Sequence, residues 1–91
     1  MTKHEFLKRL DTIPCEEGLE AFLAHKGSIQ DYFINHLRGA KAACWCVMRG
    51  GNVPEIFTPE VCLEIVKEYV HAIEYLTAEQ RTPEIYRAAA Q

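Results

Sequence analysis

The sequence predicts an all-α fold, a small single-domain bundle of four to five helices that spans residues 1–91. Apolar residues recur at helical spacing after Thr58, and this is the clearest periodic pattern in the chain. Residues that suit helix N-caps stand at Thr2, Ser28, Thr58 and Thr82. The chain is 48% hydrophobic and 25% charged, which is the balance of an ordinary folded protein. Ninety-one residues are enough for one domain with a modest core.

Two short helices are predicted at the N-terminus. Thr2 followed by Glu5 is a capping-box pattern, and the apolar residues after it predict a helix near residues 3–11. A second helix is predicted to begin near Glu16 and to end at Gly27, with acids in its first turn where the helix dipole favours them.

A third helix is predicted after Ser28, which suits its N-cap. Apolar residues continue at steps of three and four for about five turns. They are Ile29, Phe33, Leu37, Ala40, Cys44 and Val47. Gly50 and Gly51 are predicted to end this helix, and residues 50–57 are predicted to form a loop that packs down on the core. The alternative is an α+β fold with a short hairpin near residues 43–57, which Pro54 disfavours.

The fourth helix has the strongest start signal, because Thr58 suits the N-cap and Pro59 the first helical position. Its apolar residues form one stripe along a single rod over residues 59–76. They are Cys62, Ile65, Val66, Tyr69, Val70, Ile73 and Leu76. Thr82 and Pro83 repeat the start signal for a short last helix that runs to Ala90.

The cysteines are predicted to be reduced core residues and not metal ligands. The four are Cys15, Cys44, Cys46 and Cys62. None forms a Cys-x-x-Cys pair, and we expect neither a metal nor another cofactor. His36, near the apolar stripe of the third helix, is predicted to be a hydrogen-bonded core histidine.

Several functional classes are disfavoured by what the sequence lacks. No apolar run is long enough to cross a membrane, and the N-terminus has no signal-peptide pattern, so we expect a cytoplasmic protein without a membrane partner. The chain contains no Gly-rich phosphate loop, no His-Glu-x-x-His and no Gly-x-Ser-x-Gly. We therefore expect a protein that is not an enzyme.

The first candidate binding surface is an acidic ridge on the fourth helix, opposite its apolar stripe. We define the acidic ridge as Glu60, Glu64, Glu68, His71 and Tyr75. Its carboxylates suit a protein partner with a basic surface through electrostatic steering. The alternative is that the ridge is only the solvated side of an amphipathic helix.

The second candidate surface is the Trp45 face of the third helix, which we define as Ile34, Arg38, Lys41, Trp45 and Arg49. Exposed tryptophan beside arginine is typical of binding hot spots. Trp45 could equally stack on a nucleic-acid base while Arg38 and Lys41 contact phosphates. A third interpretation packs Trp45 against another helix inside the bundle.

The segment CWCVMRGGNVPEIFTPEVCLEIVKEYV, 27 of the 91 residues, resembles a stretch of the PcfK-like accessory proteins of conjugative elements and phages. Cys44, the following loop and Pro59-Glu60-Val61 match a cysteine-bearing helix, a loop and the start of a second helix in that family. Lys67 and Glu68 stand where the family often has a His-Tyr pair. The group includes inhibitors of the CRISPR nuclease Cas9. The resemblance implies a mobile-element or phage protein that inhibits a host defence complex by occluding a partner.

The function predicted from the residues is therefore a non-catalytic protein-interaction module. One alternative is a nucleic-acid-binding protein that uses Arg38, Lys41 and Trp45. The other is a structural subunit that self-associates through exposed apolar side chains.

Overall fold

The computed structural model describes residues 1–90, and every regular element in that range is helical. In chain order the elements are α1 Lys3–Leu7, α2 Glu16–Ala24, α3 Ile29–Asn35, α4 Gly39–Val47, α5 Pro59–Glu68, a 3-10 helix Val70–Tyr75, and α6 Pro83–Ala89. The all-α prediction is confirmed. The alternative hairpin near residues 43–57 is wrong, because residues 1–90 contain no strand.

The single third helix predicted after Ser28 is instead two helices, α3 and α4. α3 ends at Asn35, His36 is extended, and α4 starts at Gly39. The chain turns so tightly that a Cβ on Gly39 would lie 2.1 Å from the carbonyl oxygen of Tyr32. Only glycine fits such a close backbone approach. Leu37, predicted to be a core residue, lies in the turn and is 98% exposed.

The predicted rod over residues 59–76 is also interrupted. α5 ends at Glu68, and Tyr69 adopts an extended conformation with φ −151° and ψ 101°. A 3-10 helix follows in a new direction and buries Ala72, while Leu76 after it is also buried. Tyr69 and Val70, predicted to be core residues, are instead 45% and 40% exposed.

The helix starts follow their predicted caps in most cases. The Thr2 and Glu5 side chains form the complete capping box of α1, although that helix ends at Leu7 and not near residue 11. Ser28 caps α3 through the backbone N–H of Asp31, and Thr82 caps α6 through that of Ile85. Thr58 occupies the N-cap position of α5 without a side-chain cap bond.

Buried residues from all seven helical segments form one hydrophobic cluster. α5 lies at its centre and packs against α3, α4, α6 and the 3-10 helix. Around Phe6 the core is aromatic. Phe6 packs against the rings of Phe22, Phe33 and Phe57, at centroid distances of 6.1, 5.9 and 6.3 Å. α2 joins the core mainly through Phe22, its only buried residue.

A pair of amides connects the loop before α5 to the turn before α6. Asn52 Nδ2 donates to Gln80 Oε1 and Gln80 Nε2 donates to Asn52 Oδ1, each at 2.8 Å. Gln80 Oε1 also accepts from the backbone N–H of Thr77, and Gln80 Nε2 donates to the carbonyl oxygen of Phe57. These bonds hold the loop over residues 50–57 against the body of the protein, as the buried Val53, Ile56 and Phe57 also show.

Candidate binding surfaces

The three carboxylates of the acidic ridge lie on the solvent side of α5. Glu60 and Glu68 are exposed, and Glu64 is half-buried and pairs with Lys67 at 3.7 Å. The opposite side of the helix is buried through Val61, Cys62, Ile65 and Val66. Spacing of four residues places the carboxylates about one turn apart along the helix. α5 therefore carries a row of acidic side chains on its solvent side, while its other side is packed in the core.

His71 and Tyr75, the other two residues of the acidic ridge, lie beyond the break on the 3-10 helix. Both are exposed, and the His71 ring packs edge-on against Tyr69 with centroids 5.4 Å apart. The break turns Tyr69 and Val70 outward, so the end of the ridge carries aromatic and aliphatic surface beside Glu68. Periodicity could not predict that Tyr69 and Val70 are exposed, since both fit the apolar stripe of an unbroken helix.

Two cationic side chains of the Trp45 face, Arg38 and Arg49, make contacts within the protein. Arg38 pairs with Glu17 of α2 at 3.3 Å, and both side chains are largely exposed. The Arg49 guanidinium lies 4.4 Å from the centroid of the Trp45 ring, and its Nη1 donates to the carbonyl oxygen of Trp45. This is cation–π geometry. Trp45 itself is half-buried, and the interruption after Asn35 leaves Ile34 on a different helix.

Trp45 and Lys41 line a cleft between α2 and α4 with a volume of about 580 Å³. The buried rings of Phe6, Phe22 and Phe33 form its base, and Arg38 and Lys41 are its two cationic side chains. No carboxylate is among the lining residues that the structure describes. The cleft depends on how α2 lies against α4, and helical periodicity carries no information on that arrangement.

Three of the cysteines are buried core residues, as predicted: Cys44, Cys46 and Cys62. Burial raises the pKa of the Cys44 and Cys62 thiols to about 11 and that of Cys46 to about 12. Cys44 Sγ donates to the carbonyl oxygen of Ile65 at 3.4 Å. These thiols are protonated at neutral pH, and a protonated thiol is a poor nucleophile. The prediction is wrong for Cys15, which is exposed at the start of α2.

A small polar cluster surrounds His25 at the end of α2. Its Nε2 lies 2.7 Å from Asp31 Oδ2, and hydrogen bonds from Asn35 and His25 lower the pKa of Asp31. His36 stacks on Tyr32 at a centroid distance of 4.6 Å, and its Nδ1 accepts the backbone N–H of Arg38. His36 is thus hydrogen-bonded but only half-buried. Within residues 1–90 no group of His, Cys, Asp and Glu side chains is arranged to hold a metal ion.

Across the described part of the chain, no helix has the length and apolar character needed to span a membrane. Comparison with known proteins found no matching family model, no matching curated protein and no matching solved structure.

Proposed function

We propose that the protein is a non-catalytic interaction module that binds the basic surface of a protein partner through the acidic ridge. The observation that carries the proposal is the row of Glu60, Glu64 and Glu68 on the solvent side of a helix whose other side is buried. The helix backbone that carries these carboxylates is already ordered by its packing, so binding requires no further ordering of that backbone.

The distribution of charge along the chain supports the same surface. Residues 52–91 hold seven Asp or Glu and three Lys or Arg, whereas residues 1–51 hold six and seven. The net charge of −3 therefore arises in the C-terminal half, where the ridge lies. A field of one sign raises the rate at which an oppositely charged partner is captured.

The exposed groups beyond Glu68 add the second component of a protein interface. Tyr69, Val70 and Tyr75 are each at least 40% exposed beside the carboxylates. Tyrosine is enriched at interfaces, because its ring contributes a large contact area and its hydroxyl a hydrogen bond. The carboxylates would steer the approach of the partner, and the aromatic side chains would anchor the complex. This combination supports a specific protein interface.

The test compares two double charge reversals with equal net charge. Tagged protein is used for affinity purification from the native host, alongside Glu64→Lys/Glu68→Lys and a control, Glu55→Lys/Glu79→Lys, at exposed acids outside the ridge. We expect a stoichiometric partner with the wild type and the control, and its loss with the ridge variant. Equal recovery with both variants would remove the ridge from the binding site.

The resemblance around Cys44 and Pro59-Glu60-Val61 supports a finer proposal about the partner. The protein would be a phage or mobile-element inhibitor that occludes a host defence complex, which would place it in the cytoplasm. Purified protein should then suppress DNA cleavage by guide-loaded Cas9 without degrading the DNA, and Glu64→Lys/Glu68→Lys should restore cleavage. Full cleavage at excess wild-type protein would dismiss this partner and leave the ridge to be tested by the affinity purification.

Nucleic-acid binding through the Trp45 face has less support. Glu17 partly neutralises Arg38, and the Arg49 guanidinium covers one face of the Trp45 ring on which a base would stack. A gel shift at low salt tests this alternative, because binding to phosphates weakens steeply as salt rises. Self-association through Leu37 and other exposed apolar side chains is tested by sedimentation across a range of protein concentrations.

A further inference from the structure

We propose that the cleft between α2 and α4 binds a hydrophobic anion of the medium-chain carboxylate class, with the chain over the aromatic base and the carboxylate at Lys41 and Arg38. This site is separate from the acidic ridge and does not depend on the function proposed for it.

The size and lining of the cleft suit an apolar chain. Its volume of about 580 Å³ lies within the range of about 300–1,000 Å³ that is usual for small-molecule sites. The half-buried Leu19, Ala42 and Trp45 supply the accessible apolar contacts, and the buried rings of Phe6, Phe22 and Phe33 pack beneath them. A chain laid on this surface would leave water, which is the main source of affinity for such ligands.

The charges around the cleft select an anion. Arg38 and Lys41 are cationic residues of its lining, and no carboxylate is among the described lining residues. Lys41 is exposed and has no ion pair within residues 1–90. Arg38 shares its charge with the largely exposed Glu17, which is a weak pair that a ligand carboxylate can replace.

Gly18 adds open space to the cleft on the α2 side. It lies inside α2, where glycine disfavours the helix relative to alanine, and it lines the cleft. A Cβ at this position would meet only Cys15 Sγ, at an ordinary contact distance of 3.4 Å. Packing therefore does not require glycine here, and the absent side chain leaves open space beside α2.

The test is a titration with dodecanoate below its micelle concentration, read by Trp45, which is the only tryptophan of the chain and lines the cleft. We expect a saturable change in emission and slower labelling of the Cys15 thiol, because the ligand covers both side chains. Dodecanol should bind about tenfold more weakly, since it cannot form the charged contacts. Absence of saturation with dodecanoate, or equal affinity for dodecanol, would overturn the proposal.

Matched variants locate the site. Gly18→Leu fills the cleft and should abolish binding, whereas Ala24→Leu adds the same side chain at an exposed position of the same helix outside the lining and should not. Lys41→Gln should reduce the preference for dodecanoate over dodecanol, and Lys26→Gln, at an exposed lysine outside the cleft, should preserve it. Circular dichroism verifies that each variant is folded.

Undiminished binding by Gly18→Leu would overturn the location, and an undiminished preference in Lys41→Gln would overturn the charge contact. Glu64→Lys/Glu68→Lys, which removes acids of the ridge only, should bind dodecanoate like the wild type. A negative result for dodecanoate binding therefore leaves the proposal for the acidic ridge untouched, and a negative result for the ridge leaves the cleft proposal untouched.

Discussion

At the scale of single residues, the cysteine thiols differ in accessibility and therefore in reactivity. Cys44, Cys46 and Cys62 are buried and protonated, whereas Cys15 is exposed at the mouth of the cleft. Composition predicts burial for cysteine in general, because free cysteine behaves as a small hydrophobe. It could not identify Cys15 as the exception, since that depends on the loop after α1.

We expect one fast-reacting thiol in the native protein. A disulfide reagent such as Ellman's reagent should label Cys15 rapidly, because it is exposed. Burial shields the other three thiols from the reagent and raises their pKa. Cys15→Ser should remove the fast phase, and all four thiols should react after denaturation. Rapid labelling of a second thiol in the folded protein would show that the core opens more readily than its packing indicates.

Cys46 should make the protein less stable in alkali. Burial raises the pKa of its thiol to about 12, whereas an unfolded cysteine ionises near pH 8.5, so its contribution is complete below about pH 8.5 and is lost as pH rises toward 12. Over that window, the free energy of unfolding should fall by about 1 kcal/mol per pH unit more in the wild type than in Cys46→Ala. Urea unfolding at several pH values measures the difference, and parallel curves would contradict it.

At the scale of helices, caps and apolar spacing predicted where most elements begin but not where two of them break. The apolar pattern passes through His36 and through Tyr69 without interruption, so periodicity alone favours two long helices. Tertiary packing decides otherwise. The chain turns at Gly39 to bring α4 against α5, and it turns at Tyr69 to bury Ala72 and Leu76.

Two helical glycines should respond to alanine with opposite signs. Gly18→Ala should stabilise the protein by about 0.5–1 kcal/mol, because the added methyl group meets no clash and alanine favours the helix. Gly39→Ala should destabilise it by about 1–3 kcal/mol, because its Cβ would overlap the Tyr32 carbonyl oxygen. Urea unfolding measures both. A stabilising Gly39→Ala would be incompatible with the turn between α3 and α4, and a destabilising Gly18→Ala would contradict the open space beside α2.

At the scale of the whole molecule, α5 packs against α3, α4, α6 and the 3-10 helix, whereas α2 buries only Phe22. The exposed sides of both helices follow from their sequence patterns, and the acidic ridge was therefore visible in advance as an exposed surface. The cleft was not visible, because Gly18, Trp45 and the aromatic base meet only after α1, α2, α3 and α4 have packed. Local patterns specify faces of helices, whereas a cavity is a property of their arrangement.

Amide hydrogen exchange should reveal this difference in packing. We expect the slowest exchange in α5, which contacts α3, α4, α6 and the 3-10 helix, and much faster exchange in α2, which buries only Phe22. Phe22→Ala should accelerate exchange in α2 much more than in α5. Uniform protection across both helices would mean that the protein opens as a single unit.

The amide pair of Asn52 and Gln80 constrains how this sequence can change over time. Each side chain gives the other a donor and an acceptor, and both also bond to the backbone, Asn52 at Tyr75 and Gln80 at Phe57 and Thr77. Replacing either one therefore removes two bonds of the amide pair and at least one bond that holds the backbone. Substitution at either position alone is therefore penalised, whereas a joint exchange for another complementary hydrogen-bonding pair keeps the bonds between the two side chains and to the backbone. Descendants of this chain should accordingly show the two positions varying in concert.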